Sequence, residues 1–128
     1  MATARRLSAS SSPPRGALAV EAANGGTALL IVDMISCWDF PDADRLLPAA
    51  VAVAPAIAAL KRRCKARDVP VIYANDNRGR WRSDLSALVD LSMAGGGPGA
   101  AVTAGLAPDH DDYFVLKPQQ SAFVATPL

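Results

Sequence analysis

Three short apolar runs, each followed by polar residues, constrain this chain more than any other feature. Thr27-Ala-Leu-Leu-Ile-Val32 runs into Asp33, Val69-Pro-Val-Ile-Tyr73 leads to Asn75-Asp-Asn77, and Tyr113-Phe-Val-Leu116 runs into Lys117. Continuous, partly β-branched runs of this length predict strands covered on both faces, the usual situation in a parallel sheet. Between the first two, Val53, Ile57, Leu60 and Cys64 recur at helical spacing, which predicts a helix with those residues on its buried face. Phe40 to Asp44 reads as a loop leading into that helix. Pro55 either kinks it or opens a second segment, because proline removes a backbone donor and crowds the preceding turn. Ser83 or Asp84 can cap a shorter helix with Leu85, Leu88 and Val89 as its apolar face. Strands alternating with helices in this way predict βαβ units, right-handed crossovers and an α/β domain.

The composition removes several classes of partner. The 128 residues are 51% hydrophobic, 5% aromatic and 20% charged, so the chain can build one core and is not disordered throughout. Its formal net charge is only +1, and no basic stripe is interleaved with aromatics, so no footprint for nucleic acid is present. The densest basic run, Lys61-Arg-Arg-Cys-Lys-Ala-Arg67, reads as the solvated last turns of a helix, where cations suit the macrodipole. Cys37 and Cys64 form no C-x-x-C pair and no disulfide framework, which points to a reducing, cytoplasmic setting. The apolar run from Ala49 to Leu60 is interrupted by Pro55 and is shorter than the ~20 residues of a membrane span, so no transmembrane segment is expected. Residues 1–25 carry Arg5, Arg6, Arg15 and the run Ser10-Ser-Ser-Pro-Pro14, and read as a disordered or extended tail.

In an open parallel sheet, ligands bind outside the carboxyl ends of the strands. Asp33, Asn75 with Asp76, and Lys117 all fall at that end. A carboxylate and a lysine on one rim either tune each other for chemistry or form a structural ion pair, and spacing alone leaves both readings open. The stretch Gly95-Gly-Gly-Pro-Gly-Ala100 formally fits a dinucleotide fingerprint. It follows a helical pattern instead of a strand, so it reads as a flexible loop and no cofactor is expected. His110, the only histidine, stands among Asp109, Asp111 and Asp112 and reads as an exposed loop residue, with no metal site.

Several segments in order resemble the isochorismatase-like cysteine hydrolases, relatives of nicotinamidase. They are Leu30-Ile-Val-Asp-Met-Ile35, Asp39-Phe-Pro41, Val69 to Tyr73, Asn75-Asp-Asn77 with Gly79 and Trp81, Asp112 to Pro118, and the pattern of Ser121, Phe123, Thr126 and Leu128. The resemblance covers about residues 27 to 128 and implies a three-layer α/β/α, Rossmann-like parallel sheet, of which this chain supplies about three of the family's six strands. It implies Asp33 as general base and Lys117 as the supporting cation, with Trp38, Asn75 and Trp81 at the substrate. The family's nucleophilic cysteine follows the next strand. Neither Cys37 nor Cys64 matches it, since Ser36-Cys-Trp38 stands where relatives commonly read Asn-Asp-Phe. The expectation is therefore the amino-terminal portion, residues 26–128, of a hydrolase acting on a small molecule, inactive alone. The alternative is a noncatalytic remnant or partner-binding module, with the sheet edge after Tyr113 to Leu116 favouring association, including a homo-oligomer.

Overall fold

The computed structural model describes residues 26–76, 85–117 and 121. The elements are β1 (Leu29–Val32), α1 (Ala43–Lys65), β2 (Val71–Asp76), α2 (Leu85–Ala94), α3 (Gly97–Gly105) and β3 (Tyr113–Lys117). The strands form one parallel sheet in the order β1-β2-β3, with Val32 opposite Ala74 and Asp76 opposite Lys117. The α/β class and the parallel sheet expected from the sequence are thus present. The expected tail, residues 1–25, lies outside the described residues, as do Ser83 and Asp84.

Two successive right-handed crossovers in one direction place their helices on the same face. Accordingly, Ile31, Val71 and Tyr73 share one cluster with Ala50 and Ala54 of α1, Leu88 of α2 and Val102 of α3. The described helices therefore make one helical layer of the expected three-layer arrangement. Central strand β2 is buried from Val71 to Asn75, as a strand flanked on both edges should be. Tyr73 is fully enclosed and donates its hydroxyl to the Leu106 carbonyl at 2.7 Å, tying the strand to the end of α3. Burial raises the pKa of the Tyr73 phenol, while Lys61 pulls it the other way. Tyr73→Phe is expected to cost about 1–3 kcal/mol, because it strips a buried carbonyl of its donor. Urea unfolding checks this, and an unchanged midpoint would contradict it.

Three expectations about local structure are corrected. First, α1 is one helix from Ala43 to Lys65 through both Pro48 and Pro55, so Pro55 opens no second segment. Its buried stripe is Ala43, Ala50, Ala54 and Lys61, whereas Val53 and Leu60 are each 44% exposed. Small alanines let the helix pack closely against α3 and the sheet, so close packing selected the alanine stripe over the larger side chains. By length and composition α1 would also suit a membrane span. The expectation that no stretch here is long and apolar enough is thus corrected, although only 17% of that stretch is buried, mainly its alanine face.

Second, the basic run does not end in solvated lysines. Lys61 is 7% exposed, lies 2.6 Å from Asp112, donates to the Ala107 carbonyl and sits over the Tyr73 ring at 5.2 Å. Lys65 reaches Asp109, Asp111 and Asp112. The loop before β3 is thereby bound to the end of α1, at the amino edge of the sheet. Third, the glycine stretch does not remain a loop. Gly96 (φ 64°) and Gly97 (φ 69°) take left-handed values that turn the chain, and α3 starts there with Pro98 in its first turn.

Candidate active site

The site is assembled at the carboxyl edge of the sheet from the ends of all three strands. Asp33 leaves β1 with φ 54°, a left-handed conformation that aspartate tolerates better than most residues. Its amide still donates to the Ala74 carbonyl at 2.9 Å, so the turn begins on a residue anchored to β2. The turned backbone brings the carboxylate over the end of the central strand. There Oδ1 accepts from the Asp76 amide at 3.2 Å and Oδ2 accepts from Lys117 Nζ at 2.5 Å. The contact joins the two outer strands across β2 and links residues 84 positions apart.

The two partners differ in exposure. The Lys117 side chain is 3% exposed and the Asp33 side chain 51%. A buried ammonium thus backs a carboxylate that is open to the rim, and a charge-assisted hydrogen bond of this length fixes their relative orientation. Together they border a wide depression of about 1580 Å³ lined also by Trp38, Phe40, Leu46, Val53 and Asn75. Apolar walls around a few convergent polar groups are the ordinary make-up of a small-molecule site. The lining extends to Ser121, the one described residue beyond β3.

Asn75 reaches this depression but is only 2% exposed. Its Nδ2 donates to the Ile35 carbonyl at 2.8 Å, which anchors the loop that carries Asp33. Trp38 lies in the same wall, with φ 55°, its amide donating to Ser36 Oγ at 3.1 Å and its ring 5.8 Å from that of Phe40. Trp81 lies outside the described residues. Sequence reasoning singled out neither Ser36 nor Gly99, whose backbone packs on Trp38; a serine two residues before an aromatic in a turn was the available signal for the first.

The two cysteines occupy different settings. Cys37 also lines the depression, and its Sγ lies 3.9 Å from Ser92 Oγ. Ser92 donates its own hydrogen to the Leu88 carbonyl at 2.7 Å, which leaves Cys37 as the donor toward Ser92. Cys64 is half-buried on α1 against the core cluster, as its helical spacing suggested. The acidic group Asp109, Asp111 and Asp112 has carboxylates close enough together to hold a cation. Lys61 and Lys65 already occupy those oxygens, at the opposite edge of the sheet.

With this geometry in view, comparison with known proteins is decisive. Residues 27–128 match the Isochorismatase domain family. The chain belongs to the isochorismatase family. It is 34% identical over 101 residues to the Bacillus subtilis (strain 168) protein called "Uncharacterized isochorismatase family protein YaaI", a match covering 79% of this chain. The chain spans about half the length of this relative, with 55% of it matched. The family assignment expected from the ordered segments between Leu30 and Leu128 therefore holds.

Proposed function

We propose that Asp33 and Lys117 are the base and cation of a cysteine hydrolase acting on the amide, C–N or vinyl-ether-type bond of a small molecule. The observation that carries this reading is the 2.5 Å pair of a buried lysine and a half-exposed carboxylate on the rim of an apolar depression. In an amide hydrolysis, the Asp33 carboxylate takes the thiol proton as sulfur attacks the carbonyl carbon. Lys117 offsets the negative charge that then builds up nearby. Collapse returns the proton to the departing nitrogen, and water, deprotonated by Asp33, cleaves the thioester to the acid and regenerates the thiol. Cys37 is not assigned the nucleophile's role, because it does not stand where the family's nucleophilic cysteine does. On this reading the nucleophile is a cysteine other than Cys37 and Cys64, and these residues by themselves are expected to be inactive.

Single-turnover assays of the chain with a panel of small amides and enol ethers, read by mass spectrometry, test this reading. No hydrolysis and no covalent adduct are expected. Turnover that disappears in Cys37→Ala would instead make Cys37 the nucleophile. The complementary arm reads the DNA beyond the Leu128 codon for a cysteine-bearing continuation and assays the protein it encodes. An inactive protein with that cysteine and Asp33 both intact would sink the hydrolase assignment.

A further inference from the structure

Gly99 stands in the first turn of α3, buried against the indole of Trp38. A Cβ built on Gly99 would lie 2.5 Å from Trp38 Cδ1 and 3.3 Å from both Cγ and Nε1. No real Cβ contact is so short, so the ring and a side chain at position 99 exclude each other. Gly99 has no positive φ and needs no left-handed backbone, unlike Gly96 and Gly97. Its lack of a side chain therefore answers a packing demand and not a conformational one.

The ring also packs against the edge of the core cluster, but it has no polar anchor among the described residues. Trp38 Nε1 is buried and, among the described residues, has no hydrogen-bond partner. An indole donor that is buried without an acceptor is uncommon, and its orientation is then set by sterics instead of by a polar anchor. The backbone contributes through the strained φ of 55° at Trp38 and the bond from its amide to Ser36 Oγ. The ring itself leans on Phe40 at one side and on the bare backbone of Gly99 at another. Trp38 and Phe40 form one wall of the depression that contains Asp33 and Lys117.

We infer that Gly99 is a specificity-determining residue of this site. It provides the seat into which the Trp38 indole settles, and so it sets the width left for a planar, unsaturated small molecule beside Asp33. Any side chain at position 99 would push the indole off this seat, with the open depression as the space available to it. This inference rests on the hydrolase reading for the identity of the ligand, whereas the seat itself rests on packing alone.

A double-mutant cycle separates the two. Alanine in place of a helical glycine is intrinsically stabilising when there is room for it. Gly99→Ala should therefore lower the Tm of the chain, yet raise it by about 2–5 °C in a Trp38→Ala background where the clash is gone. In a Trp81→Phe chain, Trp38 is the sole tryptophan, and Gly99→Ala should shift its emission and weaken its quenching by planar amides at least tenfold. Equal Tm shifts in both backgrounds overturn the seat, and ligand quenching that Gly99→Ala leaves unchanged overturns its role in specificity. A reversal of sign with no quenching by any planar amide or enol ether in either chain retains the packing relation but overturns the claim on specificity, while the hydrolase reading stands or falls on the assays above.

Discussion

Asp112→Ala should cost this protein about 3–5 kcal/mol, because it leaves the Lys61 ammonium buried without its closest carboxylate. The side chains of Lys61 and Asp112 are 9% and 2% exposed and meet at 2.6 Å. Burial pulls the Lys61 pKa down, but the hydrogen bond to Asp112 leads the contributions that outweigh it, and the net shift is upward. Asp109 lies at 3.1 Å from the same ammonium but is half-exposed and shared with Lys65, so it cannot replace Asp112. A typical domain has only about 5–15 kcal/mol in total, so the variant should be largely unfolded at modest urea concentrations. Adding Lys61→Met to Asp112→Ala should recover most of the loss, since an apolar side chain there needs no carboxylate. If the single variant loses under ~1 kcal/mol, the pair is effectively solvated and the burial argument fails.

The surrounding cluster adds an acid dependence with a definite sign. Hydrogen bonds from Lys65 lead in lowering the pKa values of Asp109 and Asp111. Groups whose folded pKa is depressed contribute stability that is complete above their unfolded value, near 3.9, and is lost as the pH falls through the folded value. Acid unfolding below about pH 4 should therefore be steeper in the native chain than in Lys65→Met.

These residues also mark where the sequence stopped being readable. The three strands and the rim residues Asp33 and Lys117 were legible because apolar runs end where the polar residues begin, although among the described residues only β2 is covered on both faces and Leu30 and Val32 of β1 are 37% and 44% exposed. The face of α1 was not. Val53, Ile57, Leu60 and Cys64 fit a helical stripe as well as Ala50, Ala54, Ile57 and Lys61 do, and hydrophobicity favours the first. The packing of α1 against α3 and the sheet decided for the second, and nothing local records it. Lys61 was misjudged for a related reason, since its partner Asp112 lies in a loop joined only through the tertiary fold. The glycine stretch carried two signals superposed. Gly96 and Gly97 supply a turn, whereas Gly99 supplies room for an indole 61 positions earlier (99 − 38), a demand that no local pattern expresses.

Lys117→Met should separate the two readings that the sequence left open for the Asp33–Lys117 pair. If the pair is mainly structural, removing either partner should cost stability and activity together. The asymmetry of exposure argues for the opposite result. Methionine takes over the buried path of the Lys117 stem, and the carboxylate left behind is half in water, with the Asp76 amide still on Oδ1. Removing a buried charge in favour of an apolar side chain of similar length is often neutral or stabilising, so stability should change by no more than ~1 kcal/mol. The chemistry has no such substitute. On the proposed reading, charge that develops on sulfur and on the carbonyl oxygen would lose its fixed counterion, and a single preorganised electrostatic partner is worth about 10²–10³-fold in kcat. In the catalytically complete hydrolase, Lys117→Met should therefore keep its Tm within a few degrees while kcat falls by that factor. A parallel fall of Tm and activity would instead return the pair to a structural role, and a retained kcat would remove Lys117 from the reaction. Stability retained with function lost is the pattern expected of a charge kept in a costly place for its effect on a substrate.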